Sequence, residues 1–315
     1  MPRVNVVHTT QYDYARPVRL LHHRLMLRPR DSHDLRLIEA TLSLSPPAAQ
    51  VRWAHDAFGN SIAHVDFGGA EASTLRVVSE LDIEHYPSQL DLPLDPVAET
   101  FPFSYATEEF PDIARELERH YPDPERKIDA WMRKFLNPAG ATRTMDLLIA
   151  VTKAIKTEFT YEARAAEGTN PPLVTLETRK GACRDFALFM MEAARSMGLA
   201  ARFISGYLYD EALVESGGPV VGGGATHAWC AIYLPGAGWV EFDPTNGLIA
   251  GRNLIRVSVA RTPSQAVAVS GDFLGRPDDF VDLHVDVEVS VIRPDGLVAI
   301  QPAEAAEPPP VVPAA

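Results

Sequence analysis

Cysteine is nearly absent: Cys183 and Cys230 are the two in 315 residues. That scarcity leaves no disulfide framework and no multi-cysteine zinc site, and a single reactive thiol suits a reducing compartment. Basic residues are short as well. Lys and Arg number 29 against 42 Asp and Glu, a formal net charge of −13. This balance argues against generic binding to nucleic acid or to an anionic membrane. No apolar run approaches the roughly 20 residues of a membrane-spanning helix. The opening Met1-Pro2-Arg3-Val4-Asn5 has no apolar signal core, so the expected location is cytoplasmic. No EF-hand-like calcium loop is evident, and no metal or other cofactor is implied.

The length is enough for two hydrophobic cores. Residues 1–86 read as short alternating strands, such as Leu75–Ile83, separated by turn signals at 28–31, 45–47 and 59–60. They predict an N-terminal β-sandwich. Residues 87–139 read as a proline- and acid-rich linker followed by helices, one near 111–120 and one carrying Ile128, Trp131, Met132 and Phe135. Residues 140–300 read as the main core. It opens with a helix over 144–156, includes a strand over 199–209, and ends with a clean alternation of Val and Leu over 281–291. The Ala/Pro-rich tail, 301–315, reads as disordered. The class is α+β.

Chemistry concentrates in Gly181-Ala182-Cys183-Arg184-Asp185-Phe186-Ala187. Phe186, Phe189, Met190, Ala193 and Met197 follow at helical spacing, and Gly198 is a natural stop. Cys183 therefore starts a helix packed on a core, where the helix dipole and free backbone N–H groups favour a thiolate. Downstream, Thr226–Tyr233 reads as a strand and Trp239–Asp243 as the next, joined through Pro235-Gly236-Ala237-Gly238. His227 is the one histidine between Cys183 and residue 283. Cysteine, histidine and aspartate in the order helix, strand, strand form the layout of a thiol acyl-transfer triad.

Alternation also fixes faces. His227, Trp229, Ala231 and Tyr233 share one side of their strand; Ala228, Cys230, Ile232 and Leu234, all apolar, share the other. Cys230 is thus a packing residue. A symmetric four-residue loop would pair Cys230 with Asp243 and turn Asp243 away from His227. The prediction is a loop with an odd number of residues, or a β-bulge.

The three motifs in order, G-x-C-x-D-x-A, T-H-A-W and W-x-x-F-D-P-T-N, resemble the transglutaminase-like, papain-related core of bacterial cysteine peptidases. The stretches His8–Tyr14 and Asp56–Asn60 resemble the β-rich region that often precedes it. The resemblance implies a nucleophile helix on an antiparallel sheet, with Cys183 as nucleophile, His227 as base and Asp243 as orienting carboxylate. It draws in Phe159-Thr160-Tyr161, of which Tyr161 is a candidate second oxyanion donor or else a core aromatic. Asp185 reads as a helix-cap support, and Trp229 joins these supporting residues. The implied partner is a peptide or protein substrate. A non-catalytic protein-binding scaffold and an acyl-CoA-dependent thiol acetyltransferase are the rival readings. His22-His23 point to opposite faces of a strand and cannot easily share a metal. The glycine-rich 215–224 reads as a loop beside the site, a candidate lid. Oligomeric state is not legible.

Overall fold

The structure, a computed structural model, describes residues 3–86, 93–164, 168–209, 225–249, 253–293 and 296–300. The glycine-rich 215–224, the tail 301–315 and part of the 87–110 linker lie outside the described residues.

The N-terminal strands are β1 (Arg3–Arg28), β2 (Leu35–Ser45), β3 (Gln50–His55), β4 (Ser61–Asp66) and β5 (Glu71–His85). A two-residue β6 (Thr100–Phe101) leads to helices α1 (Phe110–Leu117) and α2 (Lys127–Arg133). Then come β7 (Thr142–Arg143), α3 (Thr144–Glu158), β8 (Thr160–Tyr161), α4 (Pro172–Thr178), β9 (Lys180–Gly181) and α5 (Cys183–Ser196). The core sheet is made of β10 (Ala201–Leu208), β11 (His227–Leu234), β12 (Gly238–Asp243), β13 (Leu248–Ile249) and β14 (Leu254–Ala260). Three strands close the described chain: β15 (Val269–Leu274), β16 (Phe280–Arg293) and β17 (Gly296–Ile300).

The N-terminal region is antiparallel and β-rich, and β1 organises it. Its first half lies between β5 and β16, and its second half between β4 and β15. With β2, β3 and β17 on the flanks, eight strands join in one sheet. Its β-pattern is the one expected from residues 1–86, but its membership is wider. The strands β15–β17, which the linear sequence places with the core of 140–300, hydrogen-bond to β1 or to one another. The reason is edge satisfaction: β1 has two unpaired sides, and only the C-terminal strands cover one of them. The alternation in β16 works as expected over Val287, Val289 and Val291, which are buried, whereas Val281 is exposed.

The core sheet runs β13-β12-β11-β10-β14, antiparallel throughout. Helix α5 packs on β10 and β11 and is covered by α2, α3 and α4. Phe186, Phe189, Met190 and Ala193 face this core together with Ala228, Cys230, Ile232, Val240 and Phe242. Enclosure on all sides leaves Glu192 and Arg195 of the same helix buried, and they pair at 2.9 Å. The short α4 was not anticipated; its signal was Pro172 at the first helical turn, where a missing N–H costs nothing.

The other face of the core sheet meets the N-terminal region. Val4, Val6, Leu81 and Ile83 share a core with Tyr207, Ile255 and Val257. Two histidines fasten the contact: His8 Nδ1 lies 2.9 Å from the Tyr207 hydroxyl, and His85 Nδ1 2.7 Å from that of Tyr209. The Asp56–Asn60 turn docks there too. Asn60 donates to the Val259 carbonyl at 2.6 Å and accepts the Val259 N–H at 2.9 Å. Gly59 holds φ +79, a left-handed backbone that favours glycine.

Candidate active site

Cys183 is the first residue of α5 and is half-buried. Its N–H has no intrahelical acceptor, as at any helix start. The turn before it is shaped by Asp185. That carboxylate accepts the Ala182 N–H at 2.9 Å, the Asn170 N–H at 2.7 Å and Arg164 Nη2 at 3.1 Å. It therefore caps the helix and ties Arg164 and Asn170 to its first turn. The side chain curls over Gly181, where a Cβ would lie 2.8 Å from Asp185 Cβ. The G-x-C-x-D spacing is thus a steric requirement: the cap works only over a glycine.

Tyr161 reaches the same neighbourhood through a parallel pairing of β8 with β9, which sets Tyr161 beside Gly181. Burial, then the nearby Cys183, raises its phenol to about 12, so it is a protonated donor at neutral pH. Tyr161 also packs against the main core, with its ring edge-on to Phe186, and Phe159 lies deeper in it, packed on Trp131 and Phe189 with Arg179 over its ring.

His227 opens β11 and Asp243 ends β12, both fully enclosed. His227 Nε2 lies 2.8 Å from Asp243 Oδ2. Asp243 is itself fixed: its Oδ1 accepts the Thr245 N–H at 2.9 Å, and its Oδ2 accepts Asn246 Nδ2 at 2.8 Å. Asp243 therefore both starts a turn and holds the imidazole. Asn246 is a contributor that sequence reasoning did not single out; its position in the Asp-Pro-Thr-Asn turn was the available signal.

The other ring nitrogen, Nδ1, is buried with no partner in strict hydrogen-bond geometry, while Cys183 stands close enough to act on the ring. Burial pulls the imidazole down, but Asp243 first and Cys183 next outweigh it, and its pKa stands raised at about 10. The same partnership holds Asp243 below the usual carboxylate range despite burial. Trp229 backs the ring, stacked at 5.8 Å between centroids and 24° between planes. Its indole N–H donates to Glu241 at 2.9 Å. Glu241 pairs with Arg256, and Arg256 with Asp34 of the N-terminal region at 3.1 Å. The β-rich region thus reaches the imidazole through a chain of polar contacts that no local motif announces.

Cys230 lies on the opposite face, completely buried, and burial pushes its thiol far up. The structure separates the two cysteines, leaves both free, and brings Cys183, His227 and Asp243 to one place. His22 and His23 also part: His23 is buried, while His22 is exposed against His64. Among the described residues, no group of three or more potential metal ligands occurs.

A helix-start cysteine on a five-stranded antiparallel sheet, preceded by a β-rich region, is an α+β, papain-like architecture. Residues 4–84 match the bacterial transglutaminase-like N-terminal region, and residues 131–244 match the transglutaminase-like superfamily. The chain belongs to the transglutaminase-like superfamily. It is similar to an uncharacterized protein of Mycobacterium tuberculosis, 27% identical over 311 residues and covering 93% of this chain and 94% of that one. A Mycobacterium leprae protein, also uncharacterized, is 26% identical over 291 residues, 92% and 99% of the two chains. Among solved structures, a candidate cysteine protease from Cytophaga hutchinsonii superposes with a TM-score of 0.65 at 16% identity, over 96% of this chain and 92% of that one. That likeness is one of fold.

Proposed function

We propose that this protein is a thiol acyl-transfer enzyme acting on an amide of a peptide or protein through Cys183, His227 and Asp243. The observation that carries the reading is the 2.8 Å contact of His227 Nε2 with Asp243. It leaves Nδ1 as the nitrogen available to the thiol. An imidazole whose pKa is raised to about 10 is protonated at neutral pH, the form that can give a proton to a leaving amine.

In this mechanism the Cys183 sulfur attacks the amide carbonyl carbon. The developing oxyanion is met by the Cys183 N–H, with the Tyr161 hydroxyl as the second donor. His227 gives its proton to the leaving amine, the C–N bond breaks, and a thioester remains. An acceptor, water or an amine, then loses a proton to His227 and attacks the thioester. The C–S bond breaks and the thiolate–imidazolium pair is restored. Asp243 keeps the ring oriented and stabilises its charged form through both halves. Apo catalytic hydrogen bonds are commonly long, which fits the unbonded Nδ1.

The test is mass spectrometry of a peptide pool incubated with the protein, with and without an added primary amine. Cleavage or deamidation marks water as acceptor, and a mass gain equal to the amine marks transamidation. A pool unchanged by the native protein, together with a Cys183 that alkylates no faster than free cysteine, would sink the proposal.

A further inference from the structure

The face of the core sheet turned away from α5 is covered only in part by the N-terminal region. Between them lies a cleft of about 570 Å³. None of Cys183, His227 and Asp243 lines it. Its floor comes from β12 and β14, and its rim from the turns at 30–34 and 58–60. Within it the charged groups are unequally served. Arg256 pairs with both Glu241 and Asp34, so those three satisfy one another. Arg202 has no such arrangement. Its guanidinium lies over the Trp239 ring, 4.1 Å from the centroid, and its Nε is buried without an acceptor. Among the described residues it is assigned no ion pair or side-chain hydrogen bond. Burial lowers its pKa to about 10, so it remains charged at neutral pH.

A planar five-donor fork, lying over an indole and without an acceptor, in a concave site whose walls are part apolar and part charged, is half of a recognition pair. We infer that this cleft binds a carboxylate, held bidentately by Arg202, with the apolar body of the ligand resting against Trp239 and Phe58. A singly charged, planar anion is favoured over a phosphate for a physical reason. Asp31, Asp34 and Glu241 stand on the walls against Arg30, Arg202 and Arg256, so the cleft offers no net positive charge to hold a dianion. His85, kept neutral by burial with a pKa lowered to about 4, adds no compensating charge. The carboxylate could belong to a free small acid or to the C-terminus of a peptide. The inference rests on no part of the acyl-transfer reading.

Isothermal titration of the full-length Cys183→Ala variant, which turns over no peptide, tests it. The probes are benzoate, benzamide and inorganic phosphate, and a short peptide with a free C-terminus against its C-terminal amide. Benzoate should bind measurably tighter than benzamide or phosphate. Adding Arg202→Met should weaken benzoate by about tenfold or more, the worth of a charge-assisted hydrogen-bond pair. That substitution should leave thermal stability unchanged or raised, since it removes a half-buried cation that has no acceptor. Arg202→Lys, which keeps the charge but not the fork, should also weaken binding. If the free-acid peptide binds and its amide does not, the source is a chain end; if benzoate alone binds, it is a small acid. No benzoate binding, equal binding of benzamide or phosphate, or native affinity in both Arg202 variants would overturn the inference.

Discussion

Leu234 pairs with Gly238 across the β11–β12 turn, so the loop between these strands is the three residues 235–237. That odd count sets Cys230 opposite Phe242 on the α5 side of the sheet. It leaves Asp243 on the side of His227, as alternation required of a working pair. An even loop in the same place would have turned every side chain of β12 over. Diagonal neighbours on one face then come within reach, and the 2.8 Å contact follows.

The two thiols should differ sharply in reactivity. Cys183 is half-buried at a helix start, whereas Cys230 is sealed in the core with its thiol pushed up by burial. Limiting iodoacetamide at neutral pH should alkylate Cys183 first, as read by peptide mapping. Cys183→Ala should abolish turnover with little change in melting temperature. Labelling of Cys230 first in the native protein would overturn the assignment of the nucleophile.

Asp243→Asn should lower kcat by roughly 10²–10⁴-fold, the usual weight of acid–base catalysis. The pH profile carries the sharper signature. Asp243 is the largest cause that raises His227, and burial opposes it. Without the carboxylate, the alkaline limb of activity should move from near pH 10 to lower pH. Stability follows the same logic. A raised histidine stabilises the fold fully below its unfolded pKa of about 6.5 and loses that contribution as pH rises through about 10. Denaturant midpoints of the native protein should therefore fall as pH approaches 10, and the fall should be shallower in Asp243→Asn. Identical alkaline limbs for the two proteins would contradict the pairing.

Gly181→Ala should impair catalysis more than folding. The new Cβ would lie 2.8 Å from Asp185 Cβ and 3.2 Å from Phe186 Cε1. The first turn of α5, and Cys183 with it, must shift to relieve the clash. Overpacking of this kind costs about 1–3 kcal/mol, which urea midpoints would show. The accompanying drop in kcat should exceed any loss of folded protein under assay conditions. Unaltered kcat would mean that the cap does not position the nucleophile.

Acid should loosen the seam between the β-rich region and the core. Burial lowers both His8 and His85 to about 4. A histidine depressed in this way leaves stability intact above its ordinary pKa. As pH falls from about 6.5 toward 4, the unfolded chain takes up the proton first and stability declines. Melting temperature should drop between pH 7 and pH 5. His8→Gln combined with His85→Gln should melt lower at pH 7 and show a flatter dependence. An equal slope in that double variant would place the acid sensitivity elsewhere.

Local chemistry made the candidate site legible. A glycine, a helix-start cysteine and an N3 aspartate form one turn whose sterics are contained in seven consecutive residues. The parity of the β11–β12 loop followed from two runs of alternating side chains. The burial of Cys230 followed from its apolar neighbours two residues away on either side. What stayed hidden is what depends on distant pairing. Tyr161 stands beside Gly181 only because β8 runs parallel to β9, although the two residues are far apart in the sequence. Trp229 is steadied by Glu241 and Arg256, and ultimately by Asp34 from the N-terminal region.

The sequence by itself determined the order of cysteine, histidine and aspartate, the faces on which the last two stand, and the β-rich and α+β parts of the chain. Periodicity and turn chemistry are short-range properties, so they can be read in one dimension. The tertiary structure alone decided that β15–β17 complete the N-terminal sheet around β1, and that this sheet docks on the far face of the core through His8, Asn60 and His85. A strand's partner is chosen by which unpaired edge it can reach and by which apolar face remains to be covered. Neither quantity exists until the rest of the chain has folded.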